Sequence, residues 1–267
     1  MNRFKFNKER HHYSLDDKPL IGCTTALSVL DKPGLTWWAS SLACQQLGWI
    51  NPKDNPPDEC IKSAETIHSN IKNMTTAEYV RLLNSAYKAH NERKKSSASK
   101  GTDLHALCEL YIKGRIAGVK GQEMPIPLEI EAFHKWSETN VKQFLFSEMF
   151  CYSQIMWTGG CADFAYIDNS DRVVLGDFKS SKSVYFSQFA QCGGYQSMLE
   201  ENGGFNESGD LIFELPRPID YHAIFSFSVG LDKPFFSRDT EKVKRAFSYC
   251  VELYRTKMFF EKEYKNE

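Results

Sequence analysis

Gly159-Gly160-Cys161-Ala162-Asp163, followed by Gly176-Asp177-Phe178-Lys179-Ser180, is the stretch on which the reading of this chain turns. Residues 144–156, 160–168 and 171–178 alternate or run apolar and are rich in β-branched and aromatic side chains, which predicts three strands. Asp168-Asn169-Ser170-Asp171 is the turn between the last two. Asp163 then follows a glycine pair on one strand, and Asp177 ends the next. Side chains on a strand alternate with period two, so Asp177 and Lys179 share a face while Phe178 points into the core. Taken alone, an acid-x-lysine is also what a surface ion pair on an edge strand looks like, so its neighbours decide its meaning.

Working outward, Leu104, Leu107, Cys108 and Tyr111 recur at helical spacing and predict a helix over about 102–114. A further helix is expected over about 127–143. After the strands come a helix over about 186–201, closed by Asn202-Gly203-Gly204, a strand over 219–229 and an amphipathic helix over about 239–262. From residue 102 the order is helix, three strands, helix, strand. Upstream, residues 11–22 read as a hairpin turning at Asp16-Asp17, and Thr24-Thr25 can cap a helix through Leu30. Lys32-Pro33-Gly34 breaks it, and a helix over 35–47 carries Trp37 and Trp38. Three prolines make 51–58 a loop. Thr75 and Glu78 have capping-box spacing ahead of a helix to about His90, and the basic, serine-rich 93–100 reads as a linker. The whole, 1–267, is expected to be one domain. Residues 1–100 form a mostly helical N-terminal extension, 101–230 a catalytic core and 231–267 a C-terminal helix.

Composition bounds the function. The 267 residues carry a formal net charge of -1, so no global basic signature marks a nonspecific nucleic-acid coat; an acidic metal site can offset a local basic groove. Eight cysteines contain no CxxC pair and no zinc-finger spacing with histidine. The polar start lacks the apolar core of a secretory signal, and no run reaches membrane-span length. Reduced thiols in a cytosol-like compartment are the expectation, with no membrane partner.

Asp163 and Asp177 offer hard oxygen ligands that suit Mg²⁺ or Mn²⁺, ions that acidify bound water and neutralise charge on a phosphate. Gly101-x-x-x-His105 puts an imidazole one turn into a helix just ahead of the strands, and Gln191 and Tyr195 share a face of the following helix at i,i+4 spacing. Gly193 and Gly194 lie within that helix, where they lower its stability; they point to close approach by another backbone or a substrate.

Together, His105, Gly160-x-x-Asp163, Asp177-x-Lys179 and Gln191-x-x-x-Tyr195 in this order resemble the PD-(D/E)XK nuclease superfamily, in particular its RecB-like and phage-type exonuclease branch. The segment from His12 and Tyr13 through Pro19-Leu20-Ile21-Gly22-x-Thr24-Thr25 to Lys32-Pro33 is more loosely similar to the entry region of phage-type members. The resemblance implies an α/β (α+β) fold with a restriction-endonuclease-like αβββαβ core, a central mixed sheet flanked by helices. It implies a Mg²⁺-dependent DNA exonuclease of recombination, repair or phage DNA processing in a bacterial or phage-infected cytoplasm. His105, Asp163, Asp177 and the Phe178 carbonyl would ligate one or two ions. Lys179 would position or activate water, and Gln191 and Tyr195 would orient the lysine region or touch the DNA backbone. Glu109 and Glu148, the latter read as opening the first strand, stand as second-shell or alternate ligands, with a plain salt bridge as the other reading. The chain lacks the closely spaced C-terminal cysteines of iron–sulfur relatives, so no cluster is expected, and it lacks GxxxxGK[ST], so no nucleotide cofactor or motor is expected.

The implied partner is DNA, as a single strand or a duplex end, and with it a single-strand annealing or recombination protein. Arg93, Lys94, Lys95 and Lys100, with Ser180, Ser181 and Lys182, are candidates for phosphate contacts or, equally, a solvated linker and a helix cap. Trp37, Trp38 and Trp49 could stack unpaired bases, but the expectation is that at least two of them lie in the core of the extension. A restriction-type or structure-specific endonuclease, and a catalytically inert DNA-binding module of the same fold, remain as alternatives.

Overall fold

Val173, Val174 and Leu175 are buried in succession, so their strand is covered on both faces, and this decides the architecture around it. The computed structural model describes residues 4–9, 12–30 and 33–264, without the side chains of residues 33, 95, 97–100 and 122. The chain forms two compact units, Met1–Leu30 with Gly101–Glu267, and Asp31–Lys100.

In the first unit β1 (Phe4–Asn7), β2 (His12–Leu15) and β3 (Lys18–Pro19) make a small antiparallel sheet. Asp16 and Asp17 turn the hairpin with φ of 49° and 61°. Next come β4 (Ile21–Gly22), a one-turn helix α1 (Cys23–Ala26) and a 3₁₀ turn, Leu27–Val29. The second unit holds α2 (Pro33–Gln46), α3 (Pro57–Lys72) and the first part of α4 (Thr76–Ile116), whose residues from Gly101 onward belong to the first unit. Then follow α5 (Glu131–Asn140), β5 (Val141–Ser153), β6 (Thr158–Asp168), β7 (Val173–Lys179), α6 (Phe186–Asn202), β8 (Gly204–Phe205), β9 (Leu211–Phe213), β10 (Tyr221–Ser226), β11 (Gly230–Ser237) and α7 (Thr240–Tyr264).

The large sheet is mixed, ordered β11-β10-β7-β6-β5-β8-β9, with β4 pairing β6. β5, β6 and β7 are successively antiparallel, while β10 runs parallel to β7 with Ser226 opposite Lys179. One face buries Ala162, Ala165, Leu175 and Ile224 under α6 and α7 through Met198, Leu199, Phe247 and Val251. The other buries Phe144, Phe164, Phe178 and Phe225 under Cys108 and Ile112 of α4 and Phe133 of α5. The small sheet closes a third cluster, in which Phe4, Tyr13 and Leu20 meet Phe150 and Tyr152. At one edge of the large sheet β9 is three residues long; at the other, β11 carries Asp232, Lys233 and Pro234.

Several expectations are corrected. Residues 4–30 belong to the sheet-bearing unit, not to a helical extension, because β4 joins β6 and the hairpin supplies core. The first helix starts at Cys23 on an extended Gly22 cap, so Thr24 and Thr25 lie inside it. The 51–58 loop ends early: Pro57 begins α3, a helix the sequence reading missed, since proline is tolerated where the N–H has no helical partner. The linker at 93–100 is helix, part of an unbroken α4; lysine, serine and alanine tolerate helix, and one glycine costs about 1 kcal/mol. Lys32, and the side chains of Lys95 and Lys100, lie outside the described residues. Trp37, Trp38 and Trp49 are all exposed, the first at 77%, so none is core. The helix read over 127–143 spans only 131–140, and Glu148 lies within β5 instead of opening it. The short strands β8 and β9 and the edge strand β11 were not anticipated.

The helix glycines answer to a backbone. A Cβ on Gly193 would lie 2.7 Å from the carbonyl of Val243, so α6 and α7 meet there in direct backbone contact. Gly193→Ala is expected to destabilise the fold by about 2–3 kcal/mol, the range of overpacked cores, measured as a lowered urea midpoint. Behind this contact His222 is fully buried. Gln196 Nε2 donates to Glu200 (2.7 Å), so Gln196 Oε1 accepts from His222 Nε2 (2.8 Å) and leaves Nδ1 without a partner. Burial, helped by Lys244, pushes His222 down to about 3. The unfolded chain takes up this proton near pH 6.5 and the folded one does not, so stability falls as pH drops below about 6.5. His222→Gln is expected to flatten that slope, by at most about 1.4 kcal/mol per pH unit, in denaturation series between pH 4 and 7.

Candidate functional site

Asp177 is 1% exposed at the end of β7, and Lys179 Nζ lies 2.5 Å from its Oδ2. The pair is a charge contact in which neither carboxylate oxygen makes a well-formed hydrogen bond. Between them Phe178 turns to the opposite face and stacks with Phe164, centroids 4.7 Å apart. The expected alternation along this strand therefore holds. Gly176 stands opposite Phe164 and leaves room for its ring.

Asp163 reaches from β6 to the same strand, where Phe178 N donates to its Oδ2 at 2.7 Å. His105 Nε2 lies 3.1 Å from that oxygen and 3.5 Å from Glu148 Oε1, and its ring meets Phe178 edge-on. Glu148 accepts from Cys161 Sγ at 3.3 Å and holds a φ of 54°, uncommon for a strand residue with a side chain. Glu109, one turn after His105, pairs with Lys113 at 2.5 Å. His105, Glu109 and Glu148 each offer a ligand atom within 4.8 Å of the others and could hold a metal ion. The residues set aside as second-shell thus join His105 in the one such group among the described residues, and Asp163 and Asp177 stand beside it. Nothing in the sequence assigned Cys161 a role of its own; Glu109 was visible as His-x-x-x-Glu, and Glu148 was named with it as a second-shell or alternate ligand.

Gln191 Nε2 donates to Tyr195 Oη at 2.7 Å, as the i,i+4 spacing predicts. Tyr195 is buried, and a Cβ on Gly160 would lie 2.5 Å from its ring. Gly159 gives the same close passage to Tyr13. The glycine pair ahead of Asp163 thus admits two tyrosines, one on each face of β6, and so sets the depth of the acid. Arg93 and Lys94 are exposed on the part of α4 that lies in the other unit.

Electrostatics separates the acids. Burial works against the Asp163 carboxylate, but the His105 hydrogen bond, Lys179 and Phe178 N–H hold it below the usual range. Burial raises Asp177 to about 7, with Lys179 opposing and Asp163 adding to the rise. Burial also raises Glu148, with Asp163 reinforcing it. Burial opposes the charge on Lys179, yet Asp177 and Asp163 hold it above the ordinary lysine value, so it is an ammonium at neutral pH. For His105 burial likewise opposes the charge, but Asp163, Glu148 and Asp177 outweigh it and raise the imidazole to about 9.

No protein-family model matches the chain, and no curated protein is similar to it in sequence. No helix among the described residues is long and apolar enough to cross a membrane.

The buried, under-bonded carboxylate of Asp177 and the surrounding oxygen and imidazole donors fit a hard divalent cation. A cation taking His105 Nε2 must displace a proton below about pH 9, so its affinity rises with pH. Mn²⁺ titration by calorimetry is expected to show binding strengthening by up to about tenfold per unit from pH 6 to 8, with proton release that His105→Ala reduces.

Proposed function

We propose that this chain is a divalent-metal-dependent deoxyribonuclease of the PD-(D/E)XK class, acting as an exonuclease in DNA recombination, repair or phage DNA processing. The observation that carries the reading is Asp177, a fully buried carboxylate held at 2.5 Å by an ammonium on its own strand, together with the Asp163–His105 pair. The strand plan supports it: a helix, three antiparallel strands, a helix and, after the two short strands β8 and β9, a strand parallel to the third are compatible with the αβββαβ order of that class.

Asp163, Asp177 and the Phe178 carbonyl are the proposed ligands of a Mg²⁺ or Mn²⁺ ion, with His105, Glu148 and Glu109 as the donors that complete its surroundings or take a second ion. When bound, such an ion acidifies water and draws negative charge off the phosphate. Lys179, held as an ammonium, donates: it orients the water beside the phosphate and stabilises charge that develops on the phosphoryl oxygens. This makes it an electrostatic group, not a proton acceptor. Asp177 fixes the lysine through the 2.5 Å contact, and Asp163 is fixed in turn by Phe178 N–H. Gln191 and Tyr195 brace the face of α6 next to Gly160. The exonuclease assignment rests on the resemblance to the RecB-like and phage-type branch.

The test is digestion of end-labelled linear oligonucleotides and of closed circular DNA with Mg²⁺. Wild-type protein is expected to shorten linear DNA progressively, to spare the circle and to stop with EDTA. Asp177→Ala and Lys179→Ala are each expected to lose about a hundred- to a thousandfold in rate, in line with removal of one preorganised electrostatic group, while keeping the wild-type circular dichroism spectrum. Wild-type rates in either variant refute the site; a nicked or opened circle replaces exonuclease with endonuclease action.

A further inference from the structure

The six residues that leave the site, 180–185, are fastened at both ends. Ser226 Oγ donates to Ser181 O at 2.7 Å and Ser228 Oγ to Ser180 O at 2.8 Å. Gln188 Nε2 donates to Ser181 Oγ at 2.9 Å, and its Oε1 accepts from Tyr185 N at 3.0 Å. On the other side Gly101, one turn before His105, comes so close that a Cβ there would meet Ser180 at 3.3 Å. Ser226 is the register partner of Lys179. The loop thus sits at the end of the sheet that carries Asp177 and Lys179, between β10 and the helix of His105.

This fixed loop presents two aromatic rings to solvent. Tyr185 is 57% and Phe186 56% exposed, and neither ring has an aromatic neighbour among the described residues. A loop tied by four side-chain hydrogen bonds does not need two exposed rings for its own folding, and burying them would stabilise the chain. Lys182 in the same loop has no ion-pair partner among the described residues. The first turn of α6 has no acidic side chain, so the partial positive charge of its N-terminus is uncompensated. Exposed rings, a free ammonium and a positive helix end together match a strand with stacked bases on one side and phosphates on the other. The loop that carries them begins at Lys179, whose ammonium is paired with the buried Asp177 at 2.5 Å, and Ser226, the register partner of Lys179, holds Ser181.

We infer that Tyr185 and Phe186 form a stacking platform for unpaired bases next to the scissile phosphate. This rests on the nuclease reading and narrows it to a single-stranded segment at the reacting end. Six residues from Lys179 reach at most about 20 Å, so the stacked bases are those within the first few nucleotides of the cleaved bond. Tyr185 and Phe186 position substrate; they do not take part in the chemistry.

The test uses the full chain. Fluorescence anisotropy with Ca²⁺ in place of Mg²⁺ compares wild type, Tyr185→Ala/Phe186→Ala and Tyr185→Phe/Phe186→Tyr. The probes are a labelled single-stranded oligonucleotide and the same oligonucleotide made abasic in its terminal four positions. The alanine pair is expected to bind the intact strand about tenfold or more weakly, as loss of base–aromatic stacking predicts, and the aromatic pair to restore binding. On the abasic strand wild type and alanine pair are expected to bind alike. In Mg²⁺ the alanine pair is expected to raise KM and leave kcat within about twofold, the mark of lost uniform binding. Equal binding of the intact strand by all three, an equal loss on the abasic strand, or wild-type protein that does not bind single-stranded DNA overturns the inference. Wild-type cleavage that disappears in Lys179→Ala tests the nuclease reading separately, so the two fail independently.

Discussion

A carboxylate taken out of water, paired with an ammonium that is only partly buried on the same face of its strand, is the constraint around which this molecule is built. Removing a carboxylate or an ammonium from water costs several kcal/mol for each ion, and their attraction compensates only with good geometry. At Asp177 and Lys179 the geometry is supplied from outside the pair. Phe178, between them, is locked into an aromatic cluster with Phe164, Phe133 and Phe225, so the strand cannot rotate to release either charge. Parallel pairing with β10 fixes the register, and Asp163 ties β6 to the same point through Phe178 N–H. The interior thus holds a strongly perturbed ion pair at one end of the sheet.

The glycines on which this depends act by absence of a side chain. Gly160 gives Tyr195 its place, Gly176 admits Phe164, and Gly193 lets α7 press on α6. Each brings an element of the site closer to the sheet than any other residue would allow. The acids, the lysine and the histidine are therefore positioned by space as much as by bonds.

Much of this was legible. The period-two pattern through residues 171–178 placed Asp177 and Lys179 on one face, because a strand buried on both sides has few alternatives once its turn, Asp168–Asp171, is recognised. Gln191 and Tyr195 followed from helical spacing, and the turn at Asp16-Asp17 from its residues. What was not legible depended on tertiary context. Glu148 was singled out as a second-shell or alternate ligand but placed at the start of its strand; its left-handed backbone within the strand and its approach to His105 arise only in the folded chain. The serine- and lysine-rich run at 93–100 resembles a linker by composition, yet helix propensity differs little among its residues and the flanking turns carry it through. Pro57 was taken to exclude a helix when its position made it the first residue of one. The tryptophans were assigned to a core by type, and packing left them outside.

The two ends of the large sheet have a bearing on how the chain behaves in a crowd. An open sheet rich in phenylalanine offers its edges to any neighbouring copy, and pairing there propagates. Here one edge is a strand of three residues, too short to template another. The other interrupts its donors with Pro234 and sets Asp232 and Lys233 alongside, so an incoming strand meets a missing N–H and desolvated charge. Both features work against pairing of the sheet edges between copies, although Leu211 and Ile212 on one edge and Phe235 and Phe236 on the other are exposed.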